Sequence, residues 1–305
     1  MRVVITGATG AVGMALISEL ISRNIEVLVL LRQGSRNADA IPDSPFVQKL
    51  TCPLDRISEF FIGGERYDAF FHLGWAGTVS DARDDVALQL KNAVYTIDAV
   101  ELAARLGCSV FIGAGSQAEY GRVTLPLTES TPTFPQSAYG VAKLCAGQMS
   151  GLACRRLGIR HVWARILSVY GPYESKNSLI SYAINQLLEG KSTEFTACEQ
   201  TWDFLYSADA AKALVSLALC ETAEGVYCLA SGSSRPLGEY IKIIGEMIDR
   251  EAVLGFGEIP YSEGQVMYLA ASIDKLVRDT GYKPETSFEE GIAHTIRFYR
   301  GASAR

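Results

Sequence analysis

The feature that most constrains this chain is its opening, RVVITGATGAVGMALISELISRNIEVLVLL, from Arg2 to Leu31. Arg2 to Ile5 reads as a short buried strand, and Thr6 to Gly13 as a glycine-rich turn. MALISELISRN then puts Leu16, Ile17, Leu20 and Ile21 on one helical face, and Glu26 to Leu31 reads as a second, continuously apolar strand. Strand, turn, helix and strand in that order form a βαβ unit, which calls for a parallel sheet covered by helices. The rhythm continues with strand-like runs at FVQKLT, DAFFHLG, CSVFIGAG and HVWARILS. Between them lie helical runs, VALQLKNAVYTIDAVELAARLG and SAYGVAKLCAGQMSGLACRRLG, each closed by a glycine. After Gly171-Pro172 the segments shorten and mix. The expected organisation is a nucleotide-binding domain over residues 1–171. Residues 172–305 then form mainly a smaller α+β substrate-binding lobe, with some segments returning to the first sheet. Leu125 to Gln136 reads as a surface connection, Asp209 as an N-cap for AAKALVSLAL, and the final GASAR as frayed.

The turn spaces its glycines as G-x-x-G-x-x-G, at Gly7, Gly10 and Gly13. Directly between a strand and a helix, this spacing fits a Rossmann-like, doubly wound parallel sheet that binds a dinucleotide. Thr9, Gly10, Ala11 and Val12 would then face the diphosphate, where the helix N-terminus offers amide donors and partial positive charge. At the end of the second strand NAD binders usually place an acid for the ribose hydroxyls. This chain has Leu30-Leu31-Arg32-Gln33-Gly34-Ser35-Arg36, and a guanidinium suits a 2′-phosphate. NADP is therefore the expected cofactor, with NAD, its ribose held by backbone groups, as the alternative.

Composition narrows the partners. The chain has 305 residues, a net charge of -6 and a pI near 5.3, with no Lys/Arg cluster of the kind a phosphate track needs. Nucleic acid and anionic membranes are not expected partners. No apolar run reaches the roughly 18 residues of a spanning helix, and the N-terminus lacks a signal-peptide pattern. Seven cysteines, an odd number without a CxxC, read as free thiols in a reducing, cytoplasmic setting. His72, His161 and His294 share no ligand spacing, so no metal site is expected.

Tyr139 and Lys143 stand four residues apart near the start of a helix and share a face. A phenol has a pKa near 10, so it exchanges protons at neutral pH only with help, and an ammonium nearby favours phenolate. Ser116 stands where an apolar strand opens into Gly113-Ala114-Gly115, at the strand end where open α/β sheets bind ligands. Its hydroxyl can hold a reacting carbonyl or alcohol oxygen.

TGATGAVG, the Ser116 segment, YGVAK, RILSVYGP and WDFLYSADAAKA together resemble the extended short-chain dehydrogenase/reductase family, in its branch of nucleotide-sugar epimerases, dehydratases and 4-ketoreductases. The resemblance runs over nearly the whole chain, to IDKLVRDTGYKPETSFEEGI. It implies Tyr139 as acid/base, Lys143 as the group that holds the nicotinamide ribose and lowers the Tyr139 pKa, and Ser116 as the substrate-oxygen ligand. It also implies Asn92 as a structural and proton-relay residue. Leu54, Leu73, Gly74, Trp75 and Ile166 are implied along the cofactor, and Gln117, Ser168, Asn177, Trp202 and Arg235 around a nucleotide-sugar substrate. A homodimer through the two long helices is implied as well.

The chain departs from the family's pattern at informative places. The family's 4,6-dehydratases follow the hydroxyl residue with an Asp-Glu pair for water elimination, and here Gln117 and Ala118 stand there. Trp202 and Ser262 stand where many relatives carry diphosphate-binding arginines, and Ser168 replaces an asparagine. Arg235, Lys176 or Lys191 are candidate replacements for that charge. The expected activity is NAD(P)H-dependent reduction of an NDP-4-keto-6-deoxyhexose. An NDP-hexose 4-epimerase and a reductase of a non-sugar carbonyl are the alternatives, and a dinucleotide-binding protein without chemistry is the reading from another class.

Overall fold

A computed structural model describes residues 1–303. In chain order the strands are β1 (Arg2–Thr6), β2 (Glu26–Leu31), β3 (Val47–Thr51), β4 (Ala69–His72), β5 (Val110–Ser116), β6 (Arg160–Ile166), β7 (Ser168–Tyr170), β8 (Thr193–Phe195), β9 (Thr201–Trp202), β10 (Phe204–Tyr206), β11 (Gly225–Leu229), β12 (Arg235–Pro236), β13 (Leu254–Phe256) and β14 (Tyr268–Leu269). The helices are α1 (Ala11–Ser22), α2 (Val86–Arg105), α3 (Ala138–Leu157), α4 (Leu179–Leu188), α5 (Ser207–Leu219), α6 (Leu237–Ile248), α7 (Asp274–Thr280) and α8 (Phe288–Ser303).

Seven strands form one sheet in the order β11-β6-β5-β4-β1-β2-β3, and every pair is parallel. This is the Rossmann-like, doubly wound arrangement. Parallel strands need covering on both faces, which is why β1, β4 and β5 read as unbroken apolar runs. One face packs Val3, Ile5, Phe71 and Ile112 against Leu16, Ile17 and Leu20 of α1 and Leu214 and Leu217 of α5. The other packs Val4, Phe70 and Phe111 against Val100 and Ala103 of α2 and Cys154 of α3. The connections run outward in opposite directions from β1 and β4. Their C-terminal ends therefore part at a topological switch point, where ligands of such sheets bind.

Residues beyond 171 do not all leave this sheet. α5 lies on α1, and GVYCL becomes β11, hydrogen-bonded along β6. The smaller lobe gathers α4, α6 and α8 around Ile180, Ile184, Ile241, Ile244 and Ile292, with the short strand pair β8–β13 and the three-stranded β12–β9–β14.

Two local expectations are corrected. Asp209 is not an N-cap. It lies inside the first turn of α5, fully buried, and accepts from the Tyr282 hydroxyl (2.8 Å) and the Thr286 amide (2.9 Å). A buried carboxylate satisfied by a distant chain segment is an anchor. The helix α8 continues through Ser303, so Gly301 to Ser303 are helical, and Ala304 and Arg305 lie outside the described residues. The seven cysteines are free, and five of them are buried. Among the described residues no helix is long and apolar enough to cross a membrane, and no cluster of side chains could hold a metal ion.

Candidate active site

The glycine-rich turn joins β1 to α1 at the switch point. Gly7 has φ +74°, and a Cβ there would lie 2.4 Å from the Leu73 carbonyl carbon. A Cβ at Gly13 would lie 2.4 Å from the Gly7 oxygen. These two glycines let β1, α1 and the chain after β4 close on one another. Gly10 is different, because a Cβ there meets nothing within 4 Å. It caps α1 with no side-chain hydrogen bond, and the first turn, which begins at Ala11 and Val12, carries no acid. Open space over unclaimed helix-terminal amides is a cradle that fits a dinucleotide's diphosphate. Asn37 ties the far side of the turn by donating to the Thr9 oxygen (3.2 Å). Arg32 follows β2 directly, is exposed, and forms no ion pair among the described residues.

The chain after β4 is held by a buried relay. The Thr6 hydroxyl accepts from the Gly74 amide (3.2 Å) and contacts His72 Nδ1 (2.9 Å), while His72 Nε2 meets the Thr96 hydroxyl (3.3 Å). Thr96 donates to the Asn92 oxygen (2.9 Å), so His72 Nε2 carries the proton and Nδ1 accepts from Thr6. Burial, and then the nearby Lys143 charge, push the imidazole down to about 3, so it is neutral. Asn92 clasps Ala76 from both sides, accepting from its amide and donating to its oxygen, each at 2.8 Å. Leu54 lies against Gly74, where a Cβ would meet its Cδ2 at 3.0 Å. Leu73 and Ile166 are half-buried, and Ile166 pairs with Ser116 across β5 and β6.

Ser116 is the last residue of β5, and Tyr139 and Lys143 sit in the first turns of α3 behind the Ser137 cap. The Ser116 hydroxyl faces the Tyr139 phenol, whose ionised form it favours, and accepts from the Ala118 amide (3.2 Å). Gly140 permits this approach, since a Cβ there would lie 2.4 Å from the Ala118 oxygen. Lys143 donates to the Ala114 oxygen (2.6 Å), and its ammonium lies 3.7 Å from the centre of the Trp75 ring and 5.8 Å from that of Tyr139. Burial lowers the ammonium to about 7, against the opposing pull of Glu119. Burial also raises the Tyr139 phenol, offset by the Ser116 hydrogen bond and the charge of Arg83. This corrects the expectation that Lys143 is what lowers Tyr139. The cation against the phenol ring is Arg83, 4.4 Å from its centre.

A family model described as the NAD dependent epimerase/dehydratase family matches residues 3–227. The chain belongs to that family. A putative UDP-glucose 4-epimerase of Methanocaldococcus jannaschii is 27% identical over 318 residues, covering 98% of each chain. The dTDP-4-dehydro-6-deoxyglucose reductase of Escherichia coli is 22% identical over 311 residues, covering 98% of this chain and 97% of the relative. Among solved structures, the UDP-N-acetylglucosamine 4-epimerase of Methanobrevibacter ruminantium M1, in complex with UDP-N-acetylmuramic acid, superposes with a TM-score of 0.90 at 22% identity, covering 99% and 98%. The protein is thus an oxidoreductase-type enzyme of the NAD-dependent family of nucleotide-sugar epimerases, dehydratases and reductases.

Within this family member the expected substrate residues are only partly drawn together. Gln117 is half-buried and opens the 3-10 turn directly after Ser116. Trp202 donates its indole N–H to Ser168 (2.8 Å), so two departures from the family pattern satisfy each other. Arg235 pairs with Trp202 across β12 and β9, but its guanidinium is bound to Glu289 (2.8 Å) and stacked on Tyr240. Its charge is already matched, which weakens it as a diphosphate ligand. Lys191 is likewise paired, with Glu189 (2.6 Å). Asn177 is exposed in the loop before α4.

Several residues at the site escaped the sequence reading. Glu119 is buried, accepts from the Ser116 amide (2.8 Å) and Trp163 (2.9 Å), and pairs with Arg165 (2.7 Å). The spacing Ser116-x-x-Glu119 is a capping box and was the available signal. Asp81, Arg83, Asp84 and Asp85 carry the charges of a solvated loop, yet Asp85 caps α2 and Arg83 covers Tyr139.

Proposed function

We propose that the protein reduces a nucleotide-linked 4-keto-6-deoxyhexose with NADPH. The observation that carries this reading is Arg32: an exposed guanidinium, with no ion pair among the described residues, follows β2 where a ribose-binding carboxylate would stand. It suits a 2′-phosphate, and NADPH is the usual consumable reductant. When bound, the nicotinamide supplies the hydride for the ketone carbon. Ser116 and Tyr139 hold the ketone oxygen between two hydroxyls, and Tyr139 passes its proton to that oxygen as the alcohol forms. Lys143, buried behind Trp75, would hold the nicotinamide ribose. Gln117 and Ala118 offer neither the acid nor the base that water elimination requires, which speaks against a dehydratase. The cofactor half of this reading is tested by Arg32→Asp. NADPH affinity should fall more than about tenfold while NADH binding holds or improves, and an unchanged NADPH affinity would contradict it.

A second reading is favoured by one observation: relatives over the full length include 4-epimerases. In that case a bound nicotinamide would accept a hydride and return it, while Tyr139 takes and gives back the proton with Ser116 and Lys143 beside it, so no cofactor is lost.

The reading includes a homodimer through α2 and α3. These helices pack together and present Val86, Leu90, Val94, Val141, Met149 and Leu152, each half exposed or more. Sedimentation of the full chain as a monomer at micromolar concentration would contradict this.

A further inference from the structure

The Tyr139 ring is sandwiched. Trp75 meets it edge-on, with centroids 6.0 Å apart and planes at 80°, and Arg83 lies over it at 4.4 Å. Both neighbours come from the segment between β4 and α2, and one side chain ties that segment down. Gln89, 1% exposed, accepts from the Trp75 indole (2.8 Å) and donates to the oxygens of Gly77 and Ala82, each at 2.7 Å. Its carbonyl and both amide hydrogens are engaged, so the turn Ser80–Arg83 is stapled to α2 directly beside Arg83. A Cβ at Gly77 would strike the Ala82 oxygen at 2.9 Å, so the fold-back is tight as well as bonded.

We propose that Arg83 is a positioning residue for Tyr139: delivered by the Gln89-stapled turn, its guanidinium covers the ring, fixes its orientation and favours the ionised phenol. The claim rests on Tyr139 as the proton-transfer group.

The other charges around the ring do not take this part. Lys143, on the same helix, is 5.8 Å from the ring centre and is turned onto Trp75 and the Ala114 oxygen. Glu119, from the turn after β5, opposes phenolate but is paired with Arg165. His72, from β4, is buried and neutral. Ser116 donates or accepts but carries no charge. A cation within 4–6 Å of an acid typically lowers its pKa by about one to three units, and the ring face is an electrostatically favourable seat for a guanidinium.

The test follows the Tyr139 ionisation itself in full-length protein labelled with 13Cζ-tyrosine, its resonance assigned by its loss in Tyr139→Phe. In Arg83→Met the Tyr139 midpoint should rise by about one pH unit, a tenfold gain in proton affinity, and Arg83→Lys should reverse most of that rise. Arg83 is half-buried in a surface turn, so both variants should fold. An unmoved midpoint in Arg83→Met overturns the proposal, as does a rise that lysine fails to reverse. The readout is independent of which sugar is turned over. Failure of the functional reading would show elsewhere, as activity retained in Tyr139→Phe.

Discussion

Two glycines of one motif should answer the same substitution in opposite ways. At Gly13 an alanine Cβ would lie 2.4 Å from the Gly7 oxygen and 2.6 and 2.7 Å from Ala8 backbone atoms, none of which can turn aside. Overpacking of this kind costs about 3 kcal/mol. Alanine recovers about 1 kcal/mol of helix propensity, which leaves a net loss of about 2 kcal/mol. With an unfolding entropy of roughly 2.1 cal/mol/K per residue, a 305-residue chain loses about 1.6 °C of Tm per kcal/mol, so Gly13→Ala should melt about 3 °C lower. At Gly10 the Cβ meets nothing within 4 Å. The weaker N-cap costs about 0.5–1 kcal/mol, and the stiffer unfolded chain returns a similar amount, so Tm should stay within about 1 °C. The added methyl instead occupies the cradle, and cofactor affinity should fall about tenfold or more. Thermal unfolding followed by circular dichroism, with titration calorimetry against NADPH, separates the two effects. The reasoning fails if Gly10→Ala melts as low as Gly13→Ala, or if it binds the cofactor like the parent.

Other residues give independent checks. Glu119→Ala strands Arg165, which is 5% exposed, without its partner. The loss should be about 3–5 kcal/mol, read as a lower urea midpoint, and a change under about 1 kcal/mol would show that the pair is not what holds this turn. His161 is buried against Ser150 (2.9 Å), and burial pushes it down to about 4. The unfolded chain therefore takes up the proton first, and stability falls as pH drops from about 6.5 toward 4. In His161→Gln that decline should be shallower by up to about 1.4 kcal/mol per pH unit, and parallel pH profiles for variant and parent would contradict it.

Much of this was legible in the sequence because it is written locally. Short apolar runs and the period-3.6 pattern locate β1 to β6 and α1 to α3, and the glycine spacing locates the cradle. What was not legible depends on contacts across long stretches of chain. Asp209 looks like a cap until Tyr282 and Thr286 arrive beside it. Arg235 looks free until Glu289 binds it. GVYCL carries the same apolar signal whether it pairs in a small lobe or along β6. Arg83 sits among acids that spell a solvated loop, and only the Gln89 staple turns it onto Tyr139.

A reductase consumes its reductant. The most direct measurement follows nicotinamide absorbance in matched NADPH and NADH, with several NDP-4-keto-6-deoxyhexoses, and identifies the sugar product. Stoichiometric loss of NADPH, faster than of NADH, with formation of the sugar alcohol is the predicted result. Interconversion of two NDP-hexoses with no cofactor consumed would contradict it and make the enzyme an epimerase.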